Sequence, residues 1–262
     1  MATSRRVLII SYYWPPSAGA GVQRWLQFSK YLREYGWEPI VYTPENPEYP
    51  GYDHSLVADI PQGMEVLRRP IIEPYHWYKR FTGRSPGEKV QAGFLSEDKK
   101  PGRREKLAAW IRGNLFIPDA RCWWIKPSVS FLENWLMHNP VDAIVSSGPP
   151  HSMHLIGLKL KQKTNLPWLA DFRDPWTQID FYKHLALSAR ADRLHQRLEQ
   201  QVLSQADRVI SVSRTTAANL AHIGNRPVEV ITNGFDPDDF PTQPPEQDNA
   251  FSLLHLGSMN AD

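Results

Sequence analysis

The run Val7 to Tyr12 is short, apolar and rich in β-branched residues; Pro15 and Pro16 close it, and the turn Ser17 to Gly21 follows. A run of this kind suits a strand buried on both faces of a parallel sheet. Val22, Trp25, Leu26, Phe28, Ser29 and Leu32 then recur at helical spacing until Gly36 stops the helix, and Pro39 to Thr43 reads as a second strand. Strand, glycine-bearing turn, helix and strand make a βαβ unit, whose right-handed crossover leaves few folds open.

The alternation is interrupted and then resumes. Residues 44–121 are expected to be an insertion, rich in Pro, Gly, Tyr and charge, with one strand at Glu65 to Arg69 and a helix near Arg104 to Leu115. A helix from Pro127 to His138 follows, then strand Val141 to Ser146, helix His151 to Lys163 and strand Trp168 to Phe172. A long amphipathic helix, Leu185 to Ser204, leads to strand Arg208 to Val212, a capped helix Ser213 to His222 and a strand Val228 to Thr232. This order predicts an α/β fold, a doubly wound parallel sheet of Rossmann-like type, with no internal repeat. Residues 1–240 are expected to form that domain. Residues 241–250 read as a polar, Pro-containing linker and 251–262, with Phe251 to Leu256, as the first strand of a truncated second domain.

Composition narrows the class. With 41% hydrophobic and 22% charged residues, a packed core is expected rather than disorder. The net charge of +2 gives no ground for a nucleic-acid partner. Cys122 is the only cysteine, which excludes an intrachain disulfide and a multi-cysteine zinc site, fits a reducing compartment, and reads as an inert, half-buried thiol. Ser11 and two tyrosines break the apolar run after Arg5 and Arg6, so it reads as a strand and not a signal peptide. No stretch approaches the roughly 20 apolar residues that span a bilayer. The expected location is cytoplasmic, at most peripheral at the inner face of the cell membrane.

Four motifs stand in a telling order: Ser11-Tyr-Tyr-Trp-Pro-Pro with Gly19-Ala-Gly21, Val145-Ser-Ser-Gly-Pro-Pro-His151, Ala170-Asp-Phe-Arg-Asp-Pro-Trp176 and Asn233-Gly-Phe-Asp236. In this order the chain resembles the retaining group-1 (family 4) glycosyltransferases built from two Rossmann-like domains (GT-B). The resemblance covers all but the insertion, and Leu253 to Ser258 looks like the first strand and turn of that family's C-terminal, donor-binding domain. It implies an N-terminal, acceptor-side domain and transfer of a hexose, with retention and without a metal, from a nucleotide-diphosphate sugar to a cell-envelope or polysaccharide acceptor. The nucleotide sugar is then a co-substrate, no cofactor is implied, and the partners are that sugar, a glycan or lipid-linked acceptor and the missing C-terminal domain. Alone, such a fragment is expected to be inactive. Many members carry adjacent glycines in the first loop, whereas here the pair is split by Ala20.

Candidate residues follow. Gly19, Ala20 and Gly21 at a helix N-terminus can offer backbone N–H groups to donor phosphates, with Arg24 adding charge; the plainer reading is a tight turn. His151, directly after a strand, matches the family's histidine at the donor sugar, and His154, one turn on, is the weaker candidate. His151, Arg173 and Asp174 are assigned to the catalytic centre; Asp171, with Trp14 and Trp176 as stacking surfaces, to the acceptor. The plainer reading of Asp171, Arg173 and Asp174 is an internal ion-pair network, and of the tryptophans, core. Asn233 and Gly234 are expected at the hinge. Residues 77–116 interleave basic residues with Trp77, Phe81, Phe94, Leu107, Trp110, Ile111 and Phe116, which fits an anionic membrane surface or a solvated insertion. A non-catalytic nucleotide- or glycan-binding module is the alternative function. A dinucleotide-dependent oxidoreductase is disfavoured: the first loop lacks the G-x-G-x-x-G spacing and Thr43 and Pro44 stand where an acid would end the second strand.

Overall fold

The computed structural model describes residues 4–73, 103–237 and 240. The expected linker 241–250, the expected strand 251–262 and the basic residues between 77 and 102 lie outside the described residues.

Among the described residues seven strands form one sheet: β1 (Arg5–Ser11), β2 (Trp37–Pro44), β3 (Glu65–Arg69), β4 (Ala143–Gly148), β5 (Trp168–Phe172), β6 (Arg208–Ser211) and β7 (Glu229–Val230). They are parallel throughout, in the order β3-β2-β1-β4-β5-β6-β7. The chain therefore winds outward from β1 to β3, returns, and winds the other way from β4. Between β1 and β4 lies the switch in winding direction, where the loops at the carboxyl ends diverge and leave a crevice.

The helices are α1 (Ala20–Leu32), α2 (Arg103–Leu115), α3 (Cys122–His138), α4 (Ser152–Thr164), α5 (Ala189–Gln205) and α6 (Arg214–Gly224). In α1 the buried residues Val22, Trp25, Leu26 and Ser29 keep the helical spacing of one face. Its end passes through a 3₁₀ turn to Gly36, whose φ of 75° is the left-handed conformation that glycine adopts without steric cost. Ser188 and Ser213 accept hydrogen bonds from the backbone N–H groups of Ala191 and Thr216, capping α5 and α6.

Strand parity divides the core. Leu8 and Ile10 of β1 and Trp168, Ala170 and Phe172 of β5 face the layer that holds Trp124, Leu132 and Ile156. Val7 and Ile9 face the other layer, with Trp14, Val22, Trp25 and Leu26. Leu8, Ile9 and Ile10 are each 0% exposed, and complete burial of such side chains stabilises by about 1.5–3 kcal/mol apiece. This two-sided burial is what the uninterrupted apolar run requires.

Several boundaries differ from expectation. Helix α3 begins at Cys122, five residues before the expected start, with Pro127 inside it; the proline sits on the exposed side and removes one i to i−4 donor. Helix α5 begins at Ala189, because Ser188 rather than Leu185 supplies the cap. The span 44–121 is not wholly an insertion: β3 pairs with β2 at the sheet edge, and Phe116 and residues 118–121 border the site described next.

Candidate active site

The loops that follow β1, β4 and β5 meet at the carboxyl edge of the sheet. A cavity of about 260 Å³ opens there, lined among others by Tyr13, Arg121, Pro149, His151, Asp174 and Trp176. Arg173 ties the three loops together. Its guanidinium donates to the carbonyls of Gly21 at 3.0 Å and Pro149 at 2.5 Å, and its own N–H donates to Gly148 at 3.1 Å. So the split-glycine loop, His151 and Asp174 do share one edge of the fold. Arg173 itself is a positioning residue, committed to backbone carbonyls rather than turned to a ligand.

Each glycine of the first loop has its own reason. Gly19 precedes α1 with φ 95° and ψ 170°, a region that side chains all but forbid. A Cβ on Gly21 would lie 2.9 Å from Arg173 Nη1 and 3.1 Å from Tyr13 Cδ2. Ala20 between them is exposed, so the methyl that splits the pair occupies open space. We expect Gly19→Ala and Gly21→Ala each to lower stability by about 1–3 kcal/mol, the first through backbone strain and the second through crowding of Arg173. Chemical denaturation measures both, and a neutral Gly21→Ala would show that the clamp does not need this close approach.

The two helix N-termini at this edge differ. That of α1 has no side-chain cap and no acidic residue in its first turn, so its orphan N–H groups and positive dipole end remain available to an anion. That of α4 is already served: Asp119 accepts from Ser152 N at 2.9 Å and Ser152 Oγ at 2.8 Å.

His151 stacks on Trp176, with ring centroids 4.7 Å apart and planes 2° from parallel. Trp176 in turn donates through Nε1 to His195 Nδ1 at 3.0 Å. Burial presses the pKa of His151 well below the ordinary value, with His154, His195 and Arg173 adding to the effect. His151 is therefore neutral at physiological pH. Among the described residues its buried Nδ1 has no hydrogen-bond partner. His154 lies deeper, bonded through Nδ1 to Ser146 Oγ at 2.9 Å and pressed by burial to a pKa of about 3, which makes it a structural group.

Besides Arg173, three sequence-based assignments are corrected. Arg24, expected at a donor phosphate, has a side chain 1% exposed, bonded through Nε to Asp171 at 3.0 Å. Asp171, expected at the acceptor, is 0% exposed and also accepts from Trp25 Nε1 at 2.6 Å and Ser147 Oγ at 3.3 Å. The pair is an internal ion pair. Trp14, expected to stack on a sugar, is 0% exposed within the α1 layer. Trp176 borders the cavity, but one of its faces is taken by His151. The turn with Asn233 is held to α1, since Arg24 Nη1 donates to Asn233 Oδ1 at 3.0 Å and Lys30 to Asp236 at 2.8 Å. Among the described residues nothing lies within 4 Å of a Cβ built on Gly234.

Sequence reasoning passed over Tyr13, Asp119, Arg121, Tyr182 and His195, which border the same cavity. For His195 a signal was present. It stands on the buried face of α5 with Ala191, Glu199 and Val202, and polar residues on such a face call for partners. Cys122 is half-buried with its pKa raised to about 11, chiefly by burial, so it is a thiol at neutral pH.

Comparison with known proteins gives the family. The family model for Glycosyltransferase Family 4 matches residues 87–239, more than half of the chain. No curated protein sequence matches it. Among solved structures, sucrose-phosphate synthase from Thermosynechococcus elongatus is 15% identical, covering 88% of this chain and 90% of that one, at a TM-score of 0.44. The N-terminal domain of trehalose-6-phosphate phosphatase from Candida albicans is 14% identical, covering 90% and 50%, at a TM-score of 0.48. A protein assigned as a UDP-N-acetylglucosamine 2-epimerase from Listeria monocytogenes is 11% identical, covering 84% and 42%, at a TM-score of 0.44; this chain thus spans less than half of its length.

Proposed function

From the premise that the chain belongs to Glycosyltransferase Family 4, we propose that it forms the acceptor-side half of an enzyme moving a hexose from a nucleotide-diphosphate sugar to a cell-envelope or polysaccharide acceptor. The observation that carries this reading is a cavity at the switch in winding direction, lined by a neutral buried histidine and Asp174, to whose edge Arg173 ties the loop that opens the uncapped α1.

Transfer breaks the bond between the anomeric carbon and the diphosphate oxygen and forms one to the acceptor oxygen. The bonding electron pair leaves with the diphosphate, and the acceptor proton must be taken up. The departing charge is met by the N–H groups that open α1, at Ala20 and Gly21, without the help of Arg24. Neutralisation by a helix terminus supports a metal-independent reaction; that it proceeds with retention rests on the family resemblance. His151 hydrogen-bonds the transferred sugar as a neutral imidazole, held in place by Trp176. Asp174, exposed at the mouth, orients the acceptor hydroxyl and receives its proton. Arg173 keeps the loops in register, and the Asn233 turn, anchored by Arg24, carries the chain toward the donor-binding domain.

We place the enzyme in the cytoplasm, peripheral at the inner membrane face. Leu107, Trp110 and Leu115 of α2 are 47%, 43% and 65% exposed and offer apolar contacts to an anionic surface. Among the described residues no helix is long and apolar enough to cross a membrane.

In the two-domain enzyme, His151→Ala is expected to lower turnover about 100-fold, the scale of a group that acts on the reacting centre. Initial rates per folded enzyme, with a nucleoside-diphosphate hexose as donor, check this; undiminished turnover would reject the site.

A further inference from the structure

Beside the cavity, across Tyr182, a groove of about 840 Å³ runs along α5 toward α6. Tyr182 borders both spaces, so they adjoin. Arg190, Arg193 and Arg197 line the groove, and all three are exposed. Spacings of three and four residues put them on one helix face, spread over about 10 Å of helix axis at 1.5 Å per residue. Among the described residues none of the three enters an ion pair.

The acids nearby are already engaged. Glu199 is 0% exposed and accepts from Thr177 Oγ1 at 2.5 Å, while Asp192 accepts from Tyr182 at 2.9 Å and Gln196 at 3.0 Å. The groove therefore presents three free guanidinium groups, with the side chains of Gln178, Gln196 and Gln200 alongside. Amides can serve sugar hydroxyls as donor and acceptor, and guanidinium forks pair with carboxylates and phosphates.

We propose that this groove binds the acceptor, and that the acceptor is an acidic oligosaccharide. Its anionic groups pair with Arg190, Arg193 and Arg197, and its terminal sugar reaches past Tyr182 to Asp174 and His151. The inference rests on the transfer reading and adds the substrate class. A flat anionic membrane is the poorer occupant, because the surface is concave and Leu194, 40% exposed, is its one large exposed apolar side chain among the described residues.

The test is direct binding to the full chain by calorimetry, with hexagalacturonate as the acidic probe and maltohexaose as the neutral one. Hexagalacturonate binding is expected to weaken about tenfold in the double variant Arg193→Ala, Arg197→Ala, to recover in part with lysine at both positions, and to weaken as salt rises. Maltohexaose binding is expected to be the same in all three proteins. Equal hexagalacturonate affinity in wild type and alanine variant would overturn the proposal. So would an alanine variant that keeps this affinity but no longer sediments with phosphatidylglycerol vesicles, since the arginines would then serve a membrane. Because binding is read without turnover, a failure to transfer sugar counts against the proposed function and leaves this result standing.

Discussion

Asp171→Ala is expected to cost about 3–5 kcal/mol of stability, the penalty for leaving a buried charge without its partner. Arg24 and Asp171 have side chains 1% and 0% exposed. Even intact, the pair is imperfectly served: among the described residues the buried Arg24 Nη2 and Asp171 Oδ1 have no hydrogen-bond partner. Removing the carboxylate strands the guanidinium, leaves Trp25 Nε1 without its 2.6 Å acceptor, and loosens α1 from the sheet. A domain is typically stable by only about 5–15 kcal/mol, so urea denaturation should show a large shift of the midpoint. Replacing both partners by apolar residues of similar volume, Arg24→Met with Asp171→Leu, is expected to restore much of the loss, because no isolated charge remains. A cost below about 1 kcal/mol for Asp171→Ala would mean that water reaches Arg24. The double variant should still loosen the turn at Thr232 and Asn233, whose oxygens accept from Arg24 at 3.2 and 3.0 Å.

That ion pair also marks where sequence reading reached its limit. The sheet was legible because its strands are short apolar runs punctuated by Pro, Gly and cap residues, and Glu65 to Arg69 and Trp168 to Phe172 fall where expected. The edge on which the site lies followed from the order of strands and helices. What did not follow was which side chains at that edge turn inward. Asp171, Arg173 and Asp174 look equivalent as an acid-base-acid run, yet parity separates them. Trp168, Ala170 and Phe172 face one layer, so Asp171 faces the other, beneath α1, where Arg24 and Trp25 meet it. Arg173 and Asp174 lie past the strand end and escape that constraint. Recognising this needs the exact phase of β5 and the register of α1 above it, which depend on packing between residues about 147 apart in sequence. The segment 116–121 was opaque for a similar reason. Asp119 carries no local motif for capping a helix that begins at Ser152, and only the fold brings the two together.

The histidines yield the remaining large effect, in the dependence of stability on pH. Burial lowers the pKa of His151, His154 and His195 in the folded chain, His154 to about 3. In the unfolded chain each takes up a proton near pH 6.5. Below that value the unfolded state binds more protons than the folded one, so stability falls as pH falls, by about 1.4 kcal/mol per pH unit for each histidine. For a given histidine the loss continues down to its folded pKa and stops there. Glu73 and Glu199, pushed up mainly by burial, act in the opposite sense: above the ordinary glutamate range the folded chain holds protons that the unfolded chain has released. They offset the histidines in the lower part of the window, so the steepest decline is expected about a unit below pH 6.5, approaching about 4 kcal/mol per unit if all three histidines contribute there. Urea titrations at intervals from pH 7.5 to 5 give the slope. His195→Gln, which retains an acceptor for Trp176 Nε1, should make it shallower, by at most about 1.4 kcal/mol per unit. Stability that stays level or rises from pH 6.5 to 5.5 would show that these rings are protonated in the folded chain, and with them the neutral imidazole assigned to His151 would go.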